Sequence, residues 1–361
     1  MTERTTTTPT PVLDEAKVKV FTQRMVTHFT GASVALMIEV GRQAGLLEAM
    51  AGTPPAGSAA IAERAGLTER YVREWLGAMV CGGIVEYDPA AGTYALPPEH
   101  SLLLTGATSR NLSSLAAFFP LLSRVVPQVV EAFQRGGGVP YSAYQPDFTG
   151  LMDGRSRPRF DEFLVSTYLE KPRGLRARLE AGIRVADVGC GTGYCVNLLA
   201  RTFPRSTFVG YDFSEEGLVQ AREEARAMGV TNASFVAQDV ARLPAEPKFD
   251  LITAFDAIHD QIDPAGVLRR IRAALAQDGV FLMLDVHASS RLEENVGLPM
   301  SAFVYTISTL HCMTVSLAHD GAGLGTAWGK QVALGMLQEA GFTDVQLFER
   351  VDPMNSLFVA R

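Results

Sequence analysis

The segment Val185-Ala186-Asp187-Val188-Gly189-Cys190-Gly191-Thr192-Gly193-Tyr194 constrains this chain more than any other stretch. An apolar strand, interrupted only by Asp187, runs into three alternating glycines, and a helical apolar pattern through Leu198 and Leu199 follows at once. Glycines in such a turn let a ligand approach the backbone, and open α/β sheets bind ligands at the carboxyl ends of parallel strands. The spacing does not fit the dinucleotide fingerprint G-x-G-x-x-G. Counted from Gly189, its third glycine would fall on Tyr194, and the count from Gly191 fails as well.

Downstream of Ile183, strand-like and helix-like segments alternate. Strands are expected at 184–188, 207–211, 234–237, 250–254 and 280–284, which reads as five parallel strands of a doubly wound sheet. A Gly-rich insertion follows, at about 286–330. A helix near 331–340 then leads to strands at 345–349 and 356–360, expected to close the sheet as an antiparallel hairpin.

The N-terminal part has a different pattern. Residues 1–16 are expected to form a disordered tail, and Phe21, Met25, Phe29, Val34, Ile38 and Leu46 predict one or two amphipathic helices, with Gly31 at a break or a close contact. In 59–76, Gly66 is expected to end a short helix and Thr68 to cap the next, a helix-turn-helix signature. Short strands at 83–87 and 93–96 complete a winged helix. The fold class is therefore α/β: a Rossmann-like seven-stranded sheet behind an N-terminal, mainly helical winged-helix-like domain. The expected boundaries are 17–105 for that domain, 106–175 for a helical linker with a hinge-like loop at Gly136-Gly137-Gly138, and 176–361 for the sheet domain.

A chain of 361 residues that is 47% hydrophobic can bury more than one core. Its net charge of −7 gives no global field for a polyanion. Residues 1–140 carry 11 Lys and Arg against 12 Asp and Glu, and the helix from Glu69 offers Arg70 and Arg73 beside Glu69 and Glu74. Nucleic acid is therefore not expected as a partner. The apolar face of Trp75, Leu76, Met79 and Val80, with the long helices upstream, suits a homodimer interface better. Cys81, Cys190, Cys195 and Cys312 form no C-x-x-C pair and read as buried thiols in a reducing, cytoplasmic setting. No long apolar run suggests a membrane span. No metal site is expected, since His259, Asp260 and Asp263 make too thin a cluster. G-x-S-x-G, Walker A and H-E-x-x-H motifs are absent from the sequence.

Acidic residues mark the ends of successive strands. Asp212 ends the second, about 20 residues past the glycine turn, where a carboxylate can accept both hydroxyls of a ribose. Asp239 follows the third, and Asp187 precedes the turn. With G-x-G-x-G, these landmarks resemble the class I S-adenosylmethionine-dependent methyltransferases over about half of the chain. The whole layout is similar to bacterial small-molecule O-methyltransferases, and closer still to an actinobacterial winged-helix group often labelled transcriptional regulators, which 309–317 and 321–329 resemble. The resemblance implies S-adenosylmethionine as cofactor, with S-adenosylhomocysteine as product. Its site would be Asp187, Gly189, Cys190, Gly191, Gly193, Asp212 with Phe213, Asp239 with Val240, and Phe255 after the fourth strand.

Methyl transfer from a sulfonium needs an aligned acceptor and, for a hydroxyl, a base. His259, in Phe255-Asp256-Ala257-Ile258-His259-Asp260, resembles the catalytic histidine segment of plant-type O-methyltransferases, and His311 and His287 are second choices. Tyr141, Tyr144, His259, His311 and Trp328 are the candidate acceptor contacts, with the 286–330 insertion as a cover. The expected activity is O-methylation of a small aromatic or polycyclic metabolite. Two alternatives stay open: an S-adenosylmethionine-sensing winged-helix regulator, and a methyltransferase-fold enzyme with non-methylating chemistry.

Overall fold

The computed structural model describes residues 13–361. The expected tail therefore lies outside the described residues up to position 12. By Glu15 the chain is already helical, capped by Asp14, whose side chain accepts from the backbone of Ala16 and Lys17.

Contacts divide the chain into a unit ending at Phe119 and a unit from Pro120 to Arg361. The first unit opens with a helix of 29 residues, Glu15–Gln43. It runs unbroken through Gly31, which has no neighbour within 4 Å of a built Cβ, so the expected break or close contact is corrected. That stretch of helix is exposed and has nothing to press against. Helices Ser58–Ala65 and Glu69–Cys81 form the helix-turn-helix, joined through Gly66 at φ 68°. Thr68 takes the N-cap position, but its side chain makes no capping bond. Strands β1 (Glu86–Asp88) and β2 (Thr93–Ala95) pair antiparallel as the wing. Leu46, Leu47, Met50, Ile61, Val72, Trp75, Leu76 and Met79 form this unit's core, so the expected dimer face of Trp75, Leu76 and Met79 is corrected: these side chains are already covered within the unit.

In the second unit, β3 (Arg184–Val188), β4 (Thr207–Asp212), β5 (Ala233–Ala237), β6 (Phe249–Phe255) and β7 (Leu275–Val286) are parallel. Strands β8 (Val345–Phe348) and β9 (Asn355–Ala360) form the antiparallel hairpin, giving the order β5-β4-β3-β6-β7-β9-β8. Both faces of the central strands are covered. Val280, Leu282 and Leu284 join one core cluster, while Phe281 and Met283 join another, which is why β7 reads as a continuous apolar run.

Two further expectations differ from the structure. Cys195 and Cys312 are buried, but Cys81 is exposed and Cys190 half-buried. The loop at 136–138 is pinned at one end, because a Cβ on Gly138 would lie 1.9 Å from the Thr314 carbonyl oxygen. Gly138 is required there for close packing and cannot serve as a free hinge. Among the described residues no single helix is long and apolar enough to cross a membrane.

Candidate active site

Parallel pairing of β3 and β4 sets Val188 opposite Tyr211, so the turn after β3 meets the end of β4. The N–H groups of Gly189 and Cys190 donate to the Tyr211 carbonyl, and Gly191 N–H donates to Asp212 Oδ2 at 2.8 Å. Ser214 N–H donates to Asp212 Oδ1 at 2.9 Å. Burial raises the Asp212 carboxyl above its ordinary value, opposed by the backbone N–H groups of Ser214, Gly191 and Phe213. A carboxylate has about four acceptor positions, so at least one remains for a ligand hydroxyl.

Behind the turn, buried Asp187 accepts from Thr253 Oγ1 at 2.6 Å, and burial pushes its carboxyl up to about 7. Cys190 packs with its Sγ 2.8 Å from where a Cβ on Gly210 would stand. Asp239 is exposed and caps a short turn by accepting from Ala241 N–H, followed by buried Val240. Phe255 is half-buried, edge-on to Phe160 at 5.0 Å.

A helix with no sequence motif lies over this turn. Asp153, on Asp147–Arg159, accepts from Thr192 and pairs with Arg157, which also reaches Glu224 and covers the Tyr194 ring at 4.3 Å. At the end of the same helix, Arg159 pairs with Asp256 at 2.7 Å and donates to Asn355. Apart from the Asp153–Arg157 pair within the helix, these partners lie between 39 and 196 residues apart in sequence, so no local signal exposes them.

On the other side, pairing of β6 with β7 sets Phe255 against Leu284, which brings Asp285 beside the loop that carries His259. His259 is 3% exposed; its Nδ1 lies 2.9 and 3.0 Å from the two Asp285 oxygens, and its Nε2 lies 3.2 Å from Asp260 Oδ1. Burial opposes charge on this imidazole, yet the carboxylates of Asp285 and Asp260 raise its pKa well above the usual value. Burial raises Asp285 as well, against the His259 charge, so the pair holds a proton between Nδ1 and the carboxylate. Asp285 was not among the site residues expected from the sequence. Its place at the carboxyl end of a parallel strand is the signal that marks it.

His311 is fully buried, and burial lowers its pKa to about 4, which leaves a neutral imidazole. Its ring stacks on Phe148 at 3.7 Å and meets Tyr144 at 4.6 Å and Tyr141 at 5.8 Å. Tyr141 in turn lies edge-on to Phe213 at 5.4 Å, so this aromatic group touches the residue that follows Asp212. His287 stands elsewhere. Its Nδ1 meets Ser356 Oγ at 2.8 Å near Arg350 and Lys330, and burial lowers its pKa. Trp328, expected against an acceptor, is a core residue in a cluster with Ile258, Met283 and Leu337, and its carbonyl accepts from Ser290.

The turn fits an adenosyl sulfonium cofactor in one respect that can be tested on its own. Gly191 sits at φ 53° with open space where a side chain would project, beside a carboxylate with spare acceptor positions.

Residues 32–106 match the family model described as Rv2258c-like winged HTH domain, and residues 179–341 match the one described as Methyltransferase domain. Malonyl-[acyl-carrier protein] O-methyltransferase of Bacillus cereus is 32% identical over 102 residues, which is 28% of this chain and 37% of that protein. The chain thus spans well under two thirds of that relative's length. Two solved structures share the fold along nearly their whole length. One, from Nostoc punctiforme and described as a putative O-methyltransferase, has a TM-score of 0.70 at 19% identity, covering 98% of this chain and 99% of that one. The other, human N-acetylserotonin methyltransferase in complex with SAM, has a TM-score of 0.66 at 17% identity and covers 94% and 97%.

Proposed function

We propose, for a chain that belongs to the class I methyltransferases with an N-terminal winged helix, that it O-methylates a small aromatic or polycyclic metabolite with S-adenosylmethionine as donor. The observation that carries this reading is the placement of the buried His259–Asp285 pair at one end and Asp212 with Phe213 at the other, with His311 and Tyr141 among the rings nearby. S-adenosylmethionine, when bound, supplies a methyl group on a positively charged sulfur and leaves as S-adenosylhomocysteine. Asp212 would hold the ribose, Asp239 and Val240 the adenine, and Gly189, Cys190, Gly191 and Gly193, with Asp187 and Phe255, the remainder. Tyr141, Tyr144 and His311 would hold the acceptor ring and exclude water. Asp285 would hold the Nδ1 proton of His259, and in the neutral imidazole the Nε2 lone pair would take the proton of an acceptor hydroxyl as methyl passes to its oxygen; because Asp285 and Asp260 raise the His259 pKa, that base form is favoured as pH rises. His287 and Trp328 have no part in this scheme.

Calorimetric titration with S-adenosylmethionine, S-adenosylhomocysteine and NAD tests the cofactor. Both sulfur nucleotides should bind, and Asp212→Ala should weaken them about 10- to 100-fold, as expected for lost hydrogen bonds to a charged group. Binding of NAD alone would overturn the reading.

The winged helix is proposed to serve dimerisation, with 17–105 as its extent, 106–175 supplying acceptor contacts and 286–330 covering them. Phe21 and Phe29 are 58% and 66% exposed on the first helix, and Val20 is 63% exposed. The arginines available for DNA are taken up locally, Arg70 by Glu74 and Arg73 by Glu69. Four free cysteines agree with a cytoplasmic setting. The double variant Phe21→Asp, Phe29→Asp should sediment as a monomer where the parent is a dimer. An unchanged mass for the variant, or a monomeric parent, would remove the proposal.

A further inference from the structure

We propose that His259, Asp260 and Cys312 form a three-ligand site for a thiophilic divalent cation of the zinc class. One donor atom from each lies within 4.8 Å of the others. Tetrahedral zinc, with bonds of about 2.0–2.3 Å, needs donors roughly 3.3–3.7 Å apart. His259 Nε2 and Asp260 Oδ1, at 3.2 Å, stand close to that spacing, and Cys312 Sγ lies within 4.8 Å of both.

Three further observations point to a cation. First, His259 directs Nδ1 at both oxygens of Asp285, which is 1% exposed. A histidine that ligates a metal through one nitrogen commonly gives the other N–H to a carboxylate, which fixes the tautomer and strengthens the ligand. Second, Asp260 Oδ1 is a buried oxygen with no hydrogen-bond partner, its contact with Nε2 being misaligned for one. A buried carboxylate oxygen left this way is costly unless a cation meets it. Third, Thr326 Oγ1 donates to Cys312 Sγ at 2.8 Å, and a donor to sulfur steadies it as a thiolate ligand.

N, O and S donors together suit zinc, and three protein ligands leave a fourth position open. The site has no sequence signature, because Cys312 comes from the insertion more than 50 residues beyond the His-Asp pair. It goes beyond the methyl-transfer reading but shares one atom with it. The Nε2 lone pair of His259 can hold a cation or accept a proton, and not both, so the loaded chain lacks a free base.

The full chain, stripped by chelator and dialysed, is titrated with Zn2+ by calorimetry and with Co2+ by absorbance. The expected result is about one equivalent of zinc and a thiolate-to-cobalt charge-transfer band. Cys312→Ser should abolish the band, and Asp260→Asn should weaken zinc binding about tenfold while S-adenosylmethionine still binds, which reports an intact fold. No stoichiometric zinc, or a cobalt band that survives Cys312→Ser, would overturn the site. Separately, zinc should lower methyl transfer and chelator restore it. Transfer that requires zinc would overturn His259 as the base while leaving the site standing, so the two readings fail on different measurements.

Discussion

On the cofactor side, Gly189, Gly191, Gly193 and Asp212 are set by backbone: two adjacent parallel strands, a turn and one carboxylate bonded to that turn. On the acceptor side, His259, Asp285, His311 and Tyr141 come from four separate segments and meet only through side chains. The first arrangement is held by the main chain at the carboxyl ends of two interior strands. The second can lose a side chain and keep its frame. The difference predicts that the two sides respond separately to substitution, one in affinity and the other in rate.

The largest expected effect follows from that separation. His259→Ala should lower kcat by about 10²- to 10⁴-fold, the usual contribution of a positioned base, with the dissociation constant for S-adenosylmethionine nearly unchanged. Single-turnover assay and calorimetry on the same preparation give both numbers. A parallel loss of cofactor affinity would break the comparison, because the two sides would then be one unit. An unchanged kcat would take the base role from His259. Asp212→Ala sharpens the contrast from the other side, with the affinity loss given above and a smaller change in kcat at saturating donor.

How much of this was legible in the sequence follows the same division. The sheet strands could be read to within about five residues, most to within one or two, because β3, β4, β6 and β7 are largely apolar runs and turn signals bound them. The glycine turn and Asp212 carry their meaning locally, within about 20 residues. Gly31, Thr68 and Cys81 were misjudged because propensity cannot report what lies beside a residue: solvent, no bonded N–H, and solvent again. Trp328 sits among glycines and reads as a loop residue, yet tertiary packing places it in the core. Asp285 and Arg159 were missed because their partners stand 26 and 97 residues away. A one-dimensional pattern holds no record of such pairs.

The smallest expected effect is the sharpest test of the cofactor side, because it sets two glycines of one turn against each other. Both have positive φ, 53° at Gly191 and 74° at Gly193, so alanine at either costs about 1–2 kcal/mol of backbone strain. At Gly193 the new Cβ would also meet Ala221 Cβ at 2.5 Å and the Phe235 ring at 2.6 Å, an overpacking that adds about 1–3 kcal/mol. At Gly191 it would meet nothing within 4 Å. Denaturant unfolding without ligand should therefore show Gly193→Ala as clearly the less stable variant, with Gly191→Ala losing only the backbone-strain part. Calorimetry should reverse the emphasis: Gly191→Ala, the more stable of the two, should lose cofactor affinity, because its methyl group occupies the open space the cofactor needs. If Gly191→Ala binds S-adenosylmethionine as the parent does, that space is not the cofactor's, and the turn serves the fold alone.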